Sequence, residues 1–401
     1  LTNNSRTKSA PVKHYCEEHS IPHIHPSSLT KLHASDLDRL SQLAFSHYNT
    51  TANVENARNA EQMAKLEENH FDHGESKEKQ NQMKFDIGVA VSFRYFIPKS
   101  ILTQFSRATL NVHPSLLPQY RGPAPIHHTL LHGDEWTGVS IIDLNPHAFD
   151  VGNIWKQEVT RVPEDETFDS LYERLGIMGS QLLIDVIDEL EHYEKSAVNQ
   201  TEVGNGSGGG IVATVERPLI HAKKVTPELK IFDWNSDTCH VIYNKWRALG
   251  TVSSMFNDSL LLSSDPSAQM PNVQHLSNQK NNKHSNSSTS EEYLFVELHR
   301  KPPQDPLVVQ QMQSSSGAAP GSYLYDSVLQ SLYIKTCDKS DTASSSCWIG
   351  CTKLQKPGKR LFTAQEFHHQ QMVKQRNRQI QLMNRLKKQQ EREQNKNKET
   401  N

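Results

Sequence analysis

A chain of 401 residues has room for two or three domains at ~150 residues each, but only 35% of it is hydrophobic and 7% aromatic. Folded parts of ordinary composition must therefore be diluted by solvated inserts or tails. Lys+Arg 43 against Asp+Glu 45 leaves a net charge of -2, so bulk charge does not announce a nucleic-acid binder, and any such contact needs a local basic run.

No stretch approaches ~18 consecutive apolar residues, the length a membrane-spanning helix needs. The five cysteines (Cys16, Cys239, Cys337, Cys347, Cys351) are odd in number and scattered, which argues against a disulfide framework and for a reducing compartment. The chain opens on Leu1 instead of Met, and is expected to be a fragment that lacks its amino-terminal targeting segment.

In chain order, Ile21–Pro26 alternates like a short strand limited by prolines, and Leu29, Leu32, Leu37, Leu40 and Leu43 follow at helical spacing. Residues 48–84 are rich in Asn, Glu, Lys and Gln and read as a solvated insertion. The apolar run Phe85–Phe93 predicts a strand buried on both faces of a parallel sheet. A short helix is predicted over Pro98–Phe105, a strand over Ala108–His113, a Pro/Gly-rich loop over Pro114–Pro125 and a helix over Ile126–His132. Strands Gly138–Leu144 and Ile154–Val159 come next. A long amphipathic helix then runs from Thr167 to about Leu190, with Leu171, Leu175, Leu182 and Val186 on one face. This alternation predicts an α/β sheet.

Gly204–Gly210 reads as a linker; it is no phosphate loop, since no Lys-Ser/Thr follows. Beyond Asp233 one helix, Cys239–Leu249, precedes strand candidates Tyr293–Leu298, Ser322–Tyr325, Ser331–Ile334 and Trp348–Leu354, which suggest a small barrel. The polar tracts 263–291 and 314–321 between them read as loops. Residues 369–401 hold nine basic residues against three acids. That tail reads first as a solvated charged helix or extension, and second as a contact for an RNA backbone.

The densest chemical constellation is Asn111-Val112-His113-Pro114-Ser115-Leu116-Leu117-Pro118, continuing to Arg121-Gly122-Pro123-Ala124-Pro125. Alternate side chains of a strand share a face, so Asn111 and His113 emerge together at its carboxyl end, where open α/β sheets place ligands. Asp150 ends the turn after the next strand and can rise at the same edge. An amide donor, an imidazole and a carboxylate with no nucleophile suit acyl transfer to an amine, in which charge develops on a carbonyl oxygen and a proton must be managed. The plain alternative is that Asn111 and His113 only close a strand end and Asp150 is an ordinary turn residue. His19, His23 and His25 read as solvated loop histidines, and Cys347 and Cys351 as thiols without a second pair at zinc-ligand spacing. Lys223, Lys224 and Lys230 stand between the domains as phosphate contacts or as solvated charge.

The Asn111–Pro125 signature, with His132-Gly133-Asp134, Thr137-Gly138-Val139 and Phe149-Asp150-Val151-Gly152, resembles that of the folate-dependent formyltransferases, most closely the branch acting on methionyl-tRNA. Lys224 through Phe232-Asp233-Trp234, continued by Arg247-Ala248-Leu249-Gly250, resembles the interdomain segment of that branch, and Pro320-Gly321-Ser322, Trp348-Ile349-Gly350 and Leu361–Phe367 resemble its carboxyl-terminal barrel. The resemblance implies a Rossmann-like formyltransferase domain over 1–215, a linker over 216–238, an OB-like β-barrel over 239–368 and a basic tail over 369–401. It implies 10-formyltetrahydrofolate as donor, initiator methionyl-tRNA as acceptor, no metal, no membrane, a monomer, and the mitochondrial matrix as location. Asn111, His113 and Asp150 would be catalytic: Asn111 toward the formyl oxygen, His113 toward the oxyanion, Asp150 assisting His113. Ser115, Leu116, Leu117 and Pro118 match the folate-binding tetrapeptide, and Phe93 and Ile97 would line the same pocket. Arg94 departs from the family, which usually carries Gly there, and the family's first strand–loop–helix unit is not found ahead of Pro11–Pro26. Other acceptors, a hydrolase of the same fold, and a non-catalytic RNA- or folate-binding relic are the competing readings.

Overall fold

The computed structural model describes residues 11–21, 85–91, 97, 99–201, 218–256, 262, 291–315, 318–337 and 348–399. The expected helix around Leu29–Leu43, most of the Ile21–Pro26 segment, the insertion 48–84 and the linker Gly204–Gly210 lie outside them, as do Phe93 and Arg94. The chain divides into two compact units. One is formed by Leu1–Pro123, Gly138–Val159 and Leu175–His221; the other by Ala124–Thr137, Thr160–Arg174 and Ala222–Asn401.

The first unit is organised on a four-stranded sheet, in order β1 (Phe85–Ala90), β2 (Phe105–His113), β3 (Trp136–Asp143) and β4 (Ile154–Arg161). Strands β1 and β2 are parallel, joined through the one-turn helix α2 (Lys99–Leu102), the short helix α1 (Pro11–Glu18) having come earlier in the chain. Strands β2 and β3 are antiparallel, with Asn111 opposite Ile142 and His113 opposite Ser140. The α/β class holds, but as a mixed sheet. The run at Phe85 is also less buried than its apolar sequence predicts: Gly88 and Ala90 face inward, while Val89 and Val91 are 46% and 59% exposed. Among the described residues β1 buries one face more deeply than the other, and it forms the edge of the described sheet.

Between β2 and β3 lies α3 (Pro125–His132), with Pro125 at its first turn and Gly133 ending it in the left-handed conformation. After β4 comes α4 (Phe168–Asp188), which buries Leu171, Leu175, Leu182 and Val186 as their spacing requires. The helix stops two residues earlier than predicted, and a separate short helix, α5 (Leu190–Ser196), follows. A Cβ at Gly179 would stand 2.7 Å from the Val112 side chain, so glycine lets α4 lie directly behind the residue between Asn111 and His113.

The second unit contains a six-stranded antiparallel sheet of β5 (Val252–Phe256), β6 (Glu291–His299), β7 (Tyr323–Asp326), β8 (Ser331–Lys335), β9 (Trp348–Gln355) and β10 (Leu361–Thr363). Helix α6 (Cys239–Leu249) packs on it; Thr238 caps its start by accepting from Val241 N–H, and Gly250 ends it. Four of the strands match the predicted ones. Strands β5 and β10 and helix α7 (Pro306–Ser314) were not predicted: each is short, and β5 is Ser-rich despite burial of Ser253 and Ser254. The core is aromatic: Phe232, Trp234, Phe256, Tyr293, Phe295 and Tyr323 are buried together. Trp234 meets Phe295 edge-on at 5.4 Å and 85°. The last helix, α8 (Ala364–Glu399), begins in a reciprocal cap, with Thr363 N–H donating to Glu366 Oε2 at 3.0 Å and Glu366 N–H to Thr363 Oγ1 at 3.2 Å. Its first turns bury Ala364 and Phe367 in the aromatic core.

Truncation at the centre of this core has a defined cost. Phe295→Ala removes a fully buried ring and is expected to lower stability by about 3–5 kcal/mol in urea unfolding. Leu386→Ala, on the exposed part of α8, is expected to change it by less than about 0.5 kcal/mol.

Candidate active site

The last residues of β2 carry the first two functional side chains. Asn111 is half-buried and His113 is 5% exposed; between them Val112 points to the opposite face. Among the described residues, no hydrogen-bond partner engages the Asn111 carboxamide. Its N–H donors remain available to an incoming oxygen.

The following loop is locked by one serine. Ser140 Oγ, on β3, donates to Ser115 O at 2.7 Å and accepts from Leu117 N–H at 3.1 Å. Gln157 Nε2, on β4, donates to Ser140 Oγ at 2.8 Å and to Leu117 O at 2.9 Å. Ser115 Oγ donates to Gln119 O at 2.7 Å, and the Leu117–Pro118 peptide is cis. Ser115 and Leu117 are fully buried, Pro118 is buried and Leu116 is half-buried. The hydroxyl of Ser115 is thus spent on the loop itself, and the tetrapeptide presents a fixed wall with Leu116 as its most open side chain. Ile97 is half-buried.

The loop then turns back on the histidine. Tyr120, at φ 61°, places its carbonyl 3.1 Å from His113 Nε2, which donates to it. The other ring nitrogen, Nδ1, faces Asp150 Oδ1 at 3.7 Å. Burial pushes the imidazole below its ordinary value of 6.5, against the opposing pull of the Asp150 charge and the Tyr120 carbonyl. His113 is therefore neutral near pH 7, with its proton on Nε2.

Asp150 is held as closely as His113. The turn before it is nucleated by Asn145, whose Oδ1 accepts from His147 N–H at 2.8 Å. Asp150 itself sits at φ 55°, in the left-handed region that is costly for a non-glycine residue. Its Oδ2 accepts from Gly122 N–H at 2.9 Å, which ties the turn to the loop after β2. A Cβ on Gly152 would collide with the Asp143 carbonyl, so the chain closes here only with glycine.

Gln200 completes the clamp and was not singled out by sequence reasoning. It is 3% exposed. Its Nε2 donates to Asp150 O at 2.9 Å and to Gly152 O at 2.8 Å, while its Oε1 accepts from Arg121 Nε at 2.9 Å and Nη2 at 2.6 Å. One amide therefore fixes the backbone of the Asp150 turn and the head of Arg121. Nothing in Asn199-Gln200-Thr201 announces this, because a lone Gln in a polar stretch carries no periodic or spacing signal.

The remaining candidates have other surroundings. Among the described residues, no group of three or more His, Cys, Asp or Glu could hold a metal ion. Cys351 is buried in the second unit and burial pushes its thiol up to about 12, as suits an unreactive core residue; Cys347 lies outside the described residues. His127 stacks on Phe168 at 4.1 Å, and His128 Nε2 donates to Lys223 O at 2.9 Å, both within the second unit.

Comparison with known proteins meets this geometry. Residues 34–187 match the formyl transferase family. Methionyl-tRNA formyltransferase, mitochondrial, of Bos taurus is 35% identical over 169 residues, 42% of this chain and 40% of the relative. Methionyl-tRNA formyltransferase of Anaplasma phagocytophilum is 44% identical over 119 residues, 30% of this chain and 38% of the relative. The chain thus spans about two-fifths of the length of these curated relatives. Among solved structures, HypX from Aquifex aeolicus in complex with tetrahydrofolic acid aligns over 70% of this chain and 37% of its own, at 14% identity and a TM-score of 0.41.

Two outcomes test the site as built. Gln200→Leu leaves Asp150 O, Gly152 O and the Arg121 head without their partner, and is expected to destabilise the protein by about 1–3 kcal/mol, measured by urea unfolding. The lowered His113 value has a definite sign: its share of stability is complete above 6.5, where the unfolded imidazole is also neutral, and is lost as pH falls from 6.5 through the folded value. His113→Asn is expected to flatten that fall over the acid side of neutrality, read as the difference from wild type so that other buried histidines cancel.

Proposed function

We propose that this formyl transferase domain moves a formyl group from 10-formyltetrahydrofolate to the α-amino group of methionyl-tRNA, producing formylmethionyl-initiator tRNA for organellar translation. The observation that carries the reading is the convergence of Asn111, His113 and Asp150 at one strand end, with His113 Nδ1 3.7 Å from Asp150 Oδ1. It is supported by relatives named methionyl-tRNA formyltransferase at 33–44% identity over this region. Those from Bos taurus and Homo sapiens carry the mitochondrial designation, which supports a mitochondrial location, the matrix being our expectation.

In this reading the amine attacks the formyl carbon and the carbonyl oxygen takes up negative charge. The Asn111 amide donates to that oxygen, a preorganised donor where charge develops. The attacking amine loses one proton and N10 of the folate gains one as the C–N bond breaks. His113, neutral and shielded, is suited to relay that proton, with Asp150 stabilising the imidazolium while it lasts. For His113 to reach the oxyanion its Nε2–H must leave the Tyr120 carbonyl, an exchange that donor binding would drive. Ser115, Leu116, Leu117 and Pro118 supply the rigid wall against which the pterin would rest, and the family resemblance adds Phe93 and Ile97 as folate contacts. We extend the reading to the carboxyl-terminal antiparallel sheet, which the family closes into an OB-like barrel, and to a chain without metal.

Formyl transfer by the full chain, with methionyl-tRNA and with nucleotide acceptors offered separately, tests the proposal. Product on methionyl-tRNA is expected. Turnover on a nucleotide, or release of formate alone, without product on methionyl-tRNA would reject the acceptor. Asn111→Ala and His113→Ala are each expected to lower kcat/KM by about 10²–10⁴; an activity close to wild type would remove the proposed chemistry.

A further inference from the structure

The charge of the chain is segregated, and the segregation points to a second contact surface. Helix α8 carries nine basic and four acidic residues, a net charge of +5 in a protein whose total is -2. Between Lys374 and Gln390 there are six basic residues and no acid. Past Gln371 the helix leaves the core: every residue from Met372 to Gln390 is exposed except Gln375.

The basic residues are ordered around the helix axis. At 3.6 residues per turn, Lys374, Arg378, Arg385 and Lys388 fall within roughly 80° of one another. They form one row, about 21 Å from end to end at 1.5 Å per residue. Gln381 fills the vacant position in that row. A row of cations with no acid in the same stretch matches a polyanion whose charges recur along a line, as nucleic-acid phosphates do. An amphipathic helix lying on a membrane has a different requirement, an uninterrupted apolar side. Here Met372, Met383 and Leu386 lie opposite the basic row, but Arg376 and Lys387 project among them, so that side cannot enter acyl chains without burying two cations.

We propose that the Lys374/Arg378/Arg385/Lys388 row of α8 is an RNA-binding surface that grips the phosphate backbone of a duplex stem. It reads charge and shape, not bases. The surface belongs to the second unit and makes no use of the His113 chemistry. With RNA as acceptor, it would raise the local concentration of substrate without touching the reacting atoms.

Matched charge removals on the full chain test this, with binding read by fluorescence anisotropy of a labelled RNA hairpin and no formyl donor present. Arg385→Gln/Lys388→Gln takes two charges from the row; Arg376→Gln/Lys387→Gln takes two from the other side. Glutamine keeps helix propensity, and circular dichroism verifies the fold. The row variant is expected to bind about tenfold more weakly, with the slope of log affinity against log salt reduced by about 2. The other variant is expected to lose less than about threefold. Equal losses in the two variants would leave only diffuse charge and overturn the proposal. So would RNA binding unchanged by either variant, or a row-dependent binding to phosphatidylcholine/phosphatidylserine vesicles in place of RNA. Because turnover is not measured, failure here leaves the catalytic reading standing, and failed formyl transfer leaves this one standing.

Discussion

The site depends on how the end of β2 is held. A strand end normally frays into its loop, yet here the loop is stitched back to the sheet through the hydroxyl of Ser140, which takes part in three hydrogen bonds, to Ser115 O, Leu117 N–H and Gln157 Nε2. In a buried setting each lost partner would cost on the order of 1–3 kcal/mol, so the loop has one favourable path. That path brings the Tyr120 carbonyl to the imidazole and the Gly122 amide to the Asp150 carboxylate. The distance between imidazole and carboxylate is therefore set by backbone groups of the intervening loop as well as by the two side chains.

Two kinds of rigidity meet there. On the β2 side the constraint is packing: α4 approaches behind Val112 because Gly179 has no side chain. On the Asp150 side it is hydrogen bonding, since a turn with a positive φ and a glycine that cannot be replaced needs an external hold, and Gln200 provides it. The burial that makes these bonds strong also keeps His113 neutral. Order and proton chemistry thus have one cause, exclusion of water from the strand end.

The second unit solves a different problem. Its sheet is anchored by aromatic rings meeting edge-on, and the same core receives the first turns of α8. Anchorage at one end lets the rest of that helix carry cations in solvent, where they neither desolvate nor disturb the core. An overall charge close to zero hides this arrangement, because the acids are spread over the remainder of the chain.

Much of this was legible locally. Short apolar runs marked β2, β6, β8 and β9 as strand candidates, periodicity of 3.6 marked α4, and both are properties of neighbours in the chain. Asn111 and His113 could be paired for the same reason, since alternation alone puts them on one face. Asp150 was named as a partner, but its approach to His113 needed the antiparallel register of β2 and β3 and the fold-back at Gly122, which no local pattern encodes. Exposure of Val89, burial of Ser253 and Ser254 in β5, and the role of Gln200 were likewise decided by what packs against them. The charged stretch 369–401 was legible as a solvated helix or extension, whereas the Thr363–Glu366 cap that starts it and the burial of Ala364 and Phe367 that anchors it came only with the fold. Sequence alone determined which side chains share a strand or a helix face, because chain geometry repeats over a few residues. Tertiary structure decided which distant backbone groups hold them, because those hydrogen bonds join segments that only the fold brings within 3 Å.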